Sequence, residues 1–330
     1  MMTRPPFPET RTALQEIPLN RIDLTDDTFS TNFMPDLRAL RSSITELGLL
    51  EPILLREKPE GYQIVSGFRR LSVLHGLGVE EAESRIINAS DVKLFSTALH
   101  ENLTTRGLNT VETAIALHKL VHQFKVESPL VIRDYLPLFG LETNVKILRT
   151  YLSLAAMEEA SKKYVLQEEV SRSNIRKLAS LSHEDHLELI PFLSSMKLGE
   201  SRLREILTLL EEISRRDQTS VGKVVRGPEI QEIIDHAELT LSQKTERVKR
   251  VLMALRYPRM NQLEERFDKK KRQLHLPPGI ALYHHPYFES KGIRIEIQFM
   301  TLEEYRSLLI TLSLLSEKVE FRELLDQEWP

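Results

Sequence analysis

The spacing of apolar positions divides the chain into three stretches. From about Ile17 to Phe124, short apolar runs alternate with stripes of helical period. Ile17-Pro18-Leu19 with Ile22 reads as a short strand. Pro35 opens a predicted helix with Leu37, Leu40, Ile44 and Leu47 on one face and Gly48 as its stop. Pro52-Ile53-Leu54-Leu55 is a candidate buried strand, Lys58-Pro59-Glu60-Gly61 a turn, and Tyr62-Gln63-Ile64-Val65 the returning strand. Leu71, Leu74 and Leu77 mark a helix that follows Gly67 and ends near Gly76-Leu77-Gly78. A further strand is expected near Ser84 to Asn88. Asp91 is placed to cap a helix carrying Leu94 and Leu99. Asn109 is placed to cap the next, whose stripe is Val111, Ala114, Ile115, Leu117 and Leu120.

Beyond Phe124 the strand signal disappears. Helical patterns succeed one another over 130–136, 145–157, 173–181, 186–193 and 203–215, which predicts a helical domain over 128–216. Residues 217–227 are the best linker candidate. The last stretch, 228–330, differs again. A basic helix runs from Ser242 toward Arg272 with a bend at Pro258, and strands follow near 280–284 and 293–299. The second strand alternates cleanly, with Ile293, Ile295, Ile297 and Phe299 on one face and Arg294, Glu296 and Gln298 on the other. Thr301 starts a closing helix through Leu302, Tyr305, Leu308, Leu309, Leu312 and Leu315. The expected architecture is an α+β N-terminal domain over 17–124, an all-α domain over 128–216, and a small α-β-β-α unit within 228–330.

Composition narrows the function classes. At 330 residues the chain can hold two or three cores, and its 41% hydrophobic and 28% charged residues are ordinary for a globular protein. A formal net charge of −3 gives no global attraction to nucleic acid, so any such binding rests on local patches. No run approaches a transmembrane span, and Met1 to Glu9 lacks an apolar signal core, so a cytoplasmic protein is expected. The absence of cysteine excludes disulfides, zinc–thiolate sites and thiol catalysis. His284-His285 lacks a third metal ligand at useful spacing, and Trp329 reads as a packing anchor.

Candidate chemistry concentrates at Ser66-Gly67-Phe68-Arg69-Arg70. A strand–Gly–helix junction presents helix-start N–H groups where the dipole favours negative charge. Two guanidiniums at that place favour phosphate, because each offers a planar fork of donors. Taken alone, the same five residues fit a surface loop with two solvated arginines.

Three pieces in order carry a resemblance. Gly48-Leu49-Leu50-Glu51-Pro52-Ile53 matches a G-L-x-x-P-[IV] motif, Gly67-Phe68-Arg69-Arg70 a G-E-R-R motif, and Glu101-Asn102-Leu103 through Ala114 an E-N-x-Q-R-x-D-L-x-P-x-E-x-A motif. Together they resemble the N-terminal domain of the ParB partition proteins, whose fold is related to sulfiredoxin. The resemblance spans roughly 17–124 and extends more weakly to about Leu181. It implies a CTP-binding domain with Mg²⁺. Gly67, Arg69 and Arg70, with Ser66 and Phe68 beside them, would then face the triphosphate. Gly48, Leu49, Leu50, Glu51 and Pro52 would line the base and sugar. Glu101 and Asn102 would hold the ion and phosphate oxygens, a set Mg²⁺ accepts.

The departures are equally informative. Phe68 stands where the family has the glutamate linked to nucleotide turnover, so binding with poor or absent hydrolysis, at most a weak CTPase, is expected. Thr104-Thr105 replaces Gln-Arg, with Arg106 one position later, and no Q-P-R segment is evident around Thr28 to Phe33. The family places a helix-turn-helix next. Here it would comprise 131–138, Gly140 and 143–154, with Asn144, Lys146, Arg149 and Thr150 offered to DNA. From Ser128 to Thr150 the net charge is only +1, whereas Lys244 to Arg272 carries +7, densest at Lys269, Lys270, Lys271 and Arg272. That stripe suits the DNA backbone, or simply a solvated helix face.

The leading reading is a nucleotide-responsive DNA-binding protein of chromosome or plasmid partition or of transcriptional regulation, nucleoid-associated in the cytoplasm. Its expected partners are DNA, a second copy through the C-terminal unit, and a partition ATPase; no membrane is expected. Two rivals stay open. One is a small-molecule kinase or nuclease on the same fold, for which Glu51 is an available base. The other is an adaptor that has lost nucleotide binding.

Overall fold

The structure, a computed structural model, describes residues 13–285 and 292–326. The expectations for Met1 to Glu9 and for Trp329 lie outside the described residues. Contacts divide the chain into two compact units, Met1–Ser194 and Ser195–Pro330. The division falls inside the stretch read as one helical domain.

In the first unit, strands β1 (Leu14–Pro18) and β2 (Ile22–Asp23) flank a single 3-10 turn, and helix α1 (Arg38–Leu47) follows. Strands β3 (Ile53–Lys58) and β4 (Gly61–Ser66) form the expected hairpin, then come α2 (Phe68–Gly76), β5 (Glu81–Ile86), α3 (Asp91–Thr105) and α4 (Thr110–His118). The five strands make one mixed sheet in the order β1-β5-β3-β4-β2. β3 runs antiparallel to β4 and parallel to β5, and the antiparallel pairing puts the start of β3 and the end of β4 beside the start of α2. Ile53, Leu55, Ile64, Leu71, Leu74 and Ile86 bury a common core, into which Phe68, Leu40 and Leu49 pack from its edge.

Local chemistry explains most boundaries. Gly48 ends α1 at φ +77°, a conformation costly for other residues. Asn109 accepts from the Glu112 N–H at 2.8 Å while the Glu112 carboxylate accepts from the Asn109 N–H at 3.3 Å, a complete capping box. Asp91 is not the cap of α3: Ser90 holds that position, and Asp91 pairs with Arg56 across the sheet end. A π-helical turn over Lys119–Gln123 continues α4.

The expected regular helix over 131–138 is irregular. A turn α5 (Ser128–Leu130) passes into π geometry and then a 3-10 turn holding Pro137, because proline has no N–H to continue the ladder. Gly140 ends the segment at φ +68°. Helices α6 (Val145–Ala156), α7 (Glu159–Gln167), α8 (Arg172–Ala179) and α9 (His183–Ser194) complete the unit. α4 packs against α6, and α6 against α8.

In the second unit, α10 (Glu200–Asp217) packs on α13 (Leu241–Arg256), joined by the ion pairs Arg202–Glu246, Lys249–Glu205 and Arg256–Glu212. Between them run α11 (Val221–Val225) and α12 (Pro228–Asp235). The linker expected at 217–227 is therefore mostly helical, with Val221, Val224 and Val225 buried. The expected long basic helix is broken at Tyr257, and α14 (Pro258–Gln273) begins with proline at its first position. Strands β6 (Ile280–His284) and β7 (Ile293–Ile297) pair antiparallel, followed by α15 (Leu302–Leu315) and α16 (Val319–Asp326). A small core of Phe267, Leu274, Leu282, Leu315 and Leu324 takes in Ile293 and Leu312 at its edge. Of the alternating apolar positions of the second strand, Ile293 packs on this core, Ile297 is half-buried, and Ile295 and Phe299 are exposed.

Replacing Asn109 by alanine removes the side-chain half of the capping box and leaves the backbone N–H that Glu112 accepts from. Asn109→Ala is expected to lower stability by about 1 kcal/mol, read as an earlier urea unfolding transition of the full chain.

Candidate functional site

The site is built on the turn from β4 into α2. Gly67 holds φ +100°, and a Cβ there would stand 3.0 Å from Ile53 Cδ1 and 3.3 Å from Arg70 Nη2. Glycine is thus required both by the backbone and by the closeness of its neighbours. The turn starts α2 at Phe68 with no side chain capping its first N–H groups and sets Arg69 and Arg70 on its opening turn.

Arg70 turns back over the end of the hairpin. Its Nη1 donates to the carbonyls of Glu51 at 3.0 Å and Pro52 at 3.2 Å, and its Nη2 pairs with Glu101 Oε1 on α3. The other carboxylate oxygen, Glu101 Oε2, is buried and has no hydrogen-bond partner. Thr31 Oγ1 is in the same condition. Unsatisfied buried oxygens are costly, and here both belong to residues around one cavity.

Arg69 points the other way. Its Nε donates to Asn32 Oδ1 at 3.0 Å and its Nη2 pairs with Glu112 Oε1 at 2.6 Å. Arg106, the first residue after α3, pairs through Nη1 with Glu112 Oε2 at 2.7 Å and donates from Nε to Asn102 Oδ1 at 3.0 Å. Glu112 is 1% exposed, so two guanidiniums share one buried carboxylate. Burial draws the Arg69 pKa down, Glu112 pulls it back up, and Arg106 adds a like-charge push downward.

A cavity of about 230 Å³ opens between these groups, lined by Phe29, Thr31, Asn32, Leu40, Glu51, Gly67, Phe68, Arg69, Arg70, Glu101, Asn102, Thr105 and Arg106. With Glu112 behind them, three guanidiniums meet three carboxylates, so the site has no formal net charge. The loop that supplies Thr31 and Asn32 is anchored twice. Phe29 stacks on Phe124 at 5.9 Å. Lys119 Nζ, its pKa lowered by burial, donates to the carbonyls of Asp27 and Thr28.

Of the residues expected at the site, Glu51, Gly67, Phe68, Arg69, Arg70, Glu101 and Asn102 line this one cavity. Gly48, Leu49, Leu50, Pro52 and Ser66 do not: Leu50 is 70% exposed, Leu49 packs on the core, Ser66 is buried in β4, and Pro52 contributes a carbonyl to Arg70. Asn102 is less available as an ion ligand than expected, since Oδ1 accepts from Arg106 and Nδ2 donates to the Ala98 carbonyl at 2.8 Å. Sequence reasoning left out Thr31, Asn32 and Glu112 and left Arg106 undecided. Glu112 falls within the third motif, but nothing local links it to Arg69.

The DNA candidates separate. Lys146 and Arg149 are exposed on α6 and, with Arg176 of α8, border a groove floored by Thr150 and Ser153. Thr150 is not exposed as expected: it is buried, and its hydroxyl donates to the Lys146 carbonyl at 2.9 Å. Asn144 caps α6, its side chain accepting from the Lys146 N–H at 2.8 Å. In the C-terminal run, Lys269 and Arg272 are exposed, whereas Lys270 is tied to Glu323 and Lys271 lies 5.4 Å from the Tyr283 ring centre. Among the described residues, no helix is long and apolar enough to cross a membrane, and no three carboxylate or histidine groups could hold a metal unaided.

Residues 8–103 match the family model of the ParB N-terminal domain. The chain is 27% identical over 237 residues to the chromosome-partitioning protein ParB of Myxococcus xanthus, covering 64% of this chain and 78% of that protein. It is 26% identical over 223 residues to the nucleoid occlusion protein of Bacillus mycoides, covering 66% and 74%. Among solved structures, it is similar to C-terminally truncated ParB from Caulobacter crescentus. The form complexed with CTP-gamma-S gives 23% identity, 52% of this chain, 94% of that chain and a TM-score of 0.26. The form complexed to the centromeric parS site gives 21%, 59%, 97% and 0.35.

Gly67→Ala tests the junction. The strained φ and the close approach to Ile53 are expected to cost about 1–3 kcal/mol, read as a lower denaturation midpoint of the full chain.

Proposed function

The chain is a divergent member of the ParB family, and on that premise we propose that it is a nucleotide-responsive DNA-binding protein of chromosome or plasmid partition or of transcriptional regulation. It binds CTP or another nucleoside triphosphate with Mg²⁺ and hydrolyses it poorly or not at all. The observation that carries this reading is convergence. Glu51, Gly67 to Arg70 and Glu101-Asn102, far apart in the chain, surround one cavity that also gathers a third guanidinium and a buried carboxylate oxygen with no partner.

The residues fit a phosphate with a divalent cation. Glu101 Oε2 is an oxygen donor awaiting a partner, and Mg²⁺ is commonly held by one or two carboxylates together with substrate phosphates. Because the site has no formal net charge, a triphosphate needs the cation to offset its charge. At about 230 Å³ the cavity is smaller than the roughly 300–1,000 Å³ typical of small-molecule pockets. It therefore suits the phosphates and cation, with the base and sugar toward the more open Gly48–Pro52 side. Arg69, Arg70 and Arg106 would orient the phosphates and Gly67 permit their close approach. Phe68 puts an apolar ring on the wall where a water-activating group would stand, which is the ground for expecting binding without efficient turnover.

DNA is assigned to Lys146, Arg149 and Asn144 at the α6 face and, without sequence preference, to Lys269 and Arg272, with Lys271 nearby. A homodimer through the C-terminal unit, where Ile295, Phe299, Met300 and Ile310 are exposed, is the expected assembly, and a partition ATPase is the expected protein partner. This assigns the nucleoid within the cytoplasm as its place of action.

Two measurements test the reading. By calorimetry, purified full-length protein is expected to bind CTP with Mg²⁺, to lose at least tenfold in affinity when Mg²⁺ is chelated or Arg69→Ala is introduced, and to release no phosphate at steady state. A steady CTPase rate that disappears with Arg69→Ala would refute binding without turnover, and equal affinity for both proteins would favour an adaptor. For DNA, Lys146→Ala with Arg149→Ala is expected to weaken binding and lower the slope of log affinity against log salt by about one unit per lost phosphate contact.

A further inference from the structure

Each carboxylate oxygen of Glu112 accepts two hydrogen bonds. Oε1 accepts from Arg69 Nη2 at 2.6 Å and the Phe33 N–H at 3.3 Å; Oε2 accepts from Arg106 Nη1 at 2.7 Å and the Asn109 N–H at 3.3 Å. Two guanidinium nitrogens and two backbone amides around an anion make the donor set a phosphate would want.

Arg106 has little left to offer a ligand. Its Nε donates to Asn102 Oδ1, its Nη1 to the Gly107 carbonyl and to Glu112, and its Nη2 to Asn32 Oδ1 at 3.5 Å. Four of its five N–H donors are therefore committed. Arg69 has given Nε to Asn32 and one Nη2 hydrogen to Glu112. A phosphate entering the cavity cannot take both arginines as forks while these bonds stand.

We propose that Glu112 is a built-in anion that competes with the ligand's phosphate for Arg69 and Arg106, so that binding transfers those guanidiniums from the protein's own carboxylate to the ligand. The inference rests on the phosphate-binding reading of the cavity and adds its regulation. Once the arginines leave, Glu112 keeps only the Phe33 and Asn109 amides, too few for a buried charge. Because Glu112 is also the third residue of α4 and half of its capping box, the first turn of α4 loosens as the site fills.

The test uses the full chain with inorganic tripolyphosphate and Mg²⁺, followed by calorimetry at fixed salt. Glu112→Gln keeps the side chain's shape and removes its charge. It is expected to bind tripolyphosphate about tenfold more tightly than the wild type, or ~1.4 kcal/mol. Unchanged or weaker affinity in a variant that melts like the wild type overturns the inference and makes Glu112 a positioning residue only. Should Glu112→Gln fail to fold, hydrogen exchange on the wild type decides. Tripolyphosphate is expected to speed amide exchange over residues 109–113, and slower or unchanged exchange there overturns the inference. If neither wild type nor variant binds tripolyphosphate or CTP, the nucleotide reading falls and this inference with it. Binding by the wild type without tightening in the variant removes this inference alone.

Discussion

A carboxylate that is 1% exposed has to be paired, and the pairing of Glu112 organises one wall of the cavity in the first unit. Its partners come from four places: the loop at Phe33, the first turn of α2, the residue that follows α3, and the cap of α4. None of these segments can drift without leaving a charge or an amide unsatisfied in the interior. The Arg70–Glu101 pair does the same for the opposite wall, joining α2 to α3 and to the carbonyls before β3. The cavity is the space left between these two sets of ion pairs.

Packing supplies the rigidity that ion pairs alone would not. Ile53 and Leu71 are buried on either side of the Gly67 turn, so α2 starts from a fixed point. Phe29, stacked on Phe124, and Lys119, bonded to two loop carbonyls, hold the loop that brings Thr31 and Asn32 to the cavity. Phe68 belongs to both worlds: it lines the cavity and packs against the core. That double membership explains how an apolar residue is accommodated at an otherwise charged site.

Much of the fold was legible because it is local. The β3–β4 hairpin, the stop at Gly48, the helix after Gly67 and the cap at Asn109 each follow from residues within a few positions. Where the reading failed, a second local rule or a tertiary contact prevailed. Pro258 begins a new helix, so the long basic helix became two. Residues 217–227 look like a linker in polarity and glycine content, yet their valines are buried and make α11. Thr150 lies on the packed side of α6, because that helix is covered by both α4 and α8.

The site divides along the same line. The sequence by itself determined the residue types, the strand–glycine–helix junction, and three pieces whose order and spacing resemble ParB. It also placed Phe68 where the family has a glutamate. Only the tertiary structure decided which charge meets which. Arg70 and Glu101 are 31 positions apart, Arg69 and Glu112 are 43, and Phe33 and Glu112 are 79. No periodicity encodes such pairings. They follow from a mixed sheet in the order β1-β5-β3-β4-β2, which brings distant strand and helix ends to one side, and from the cost of burying a carboxylate without a cation.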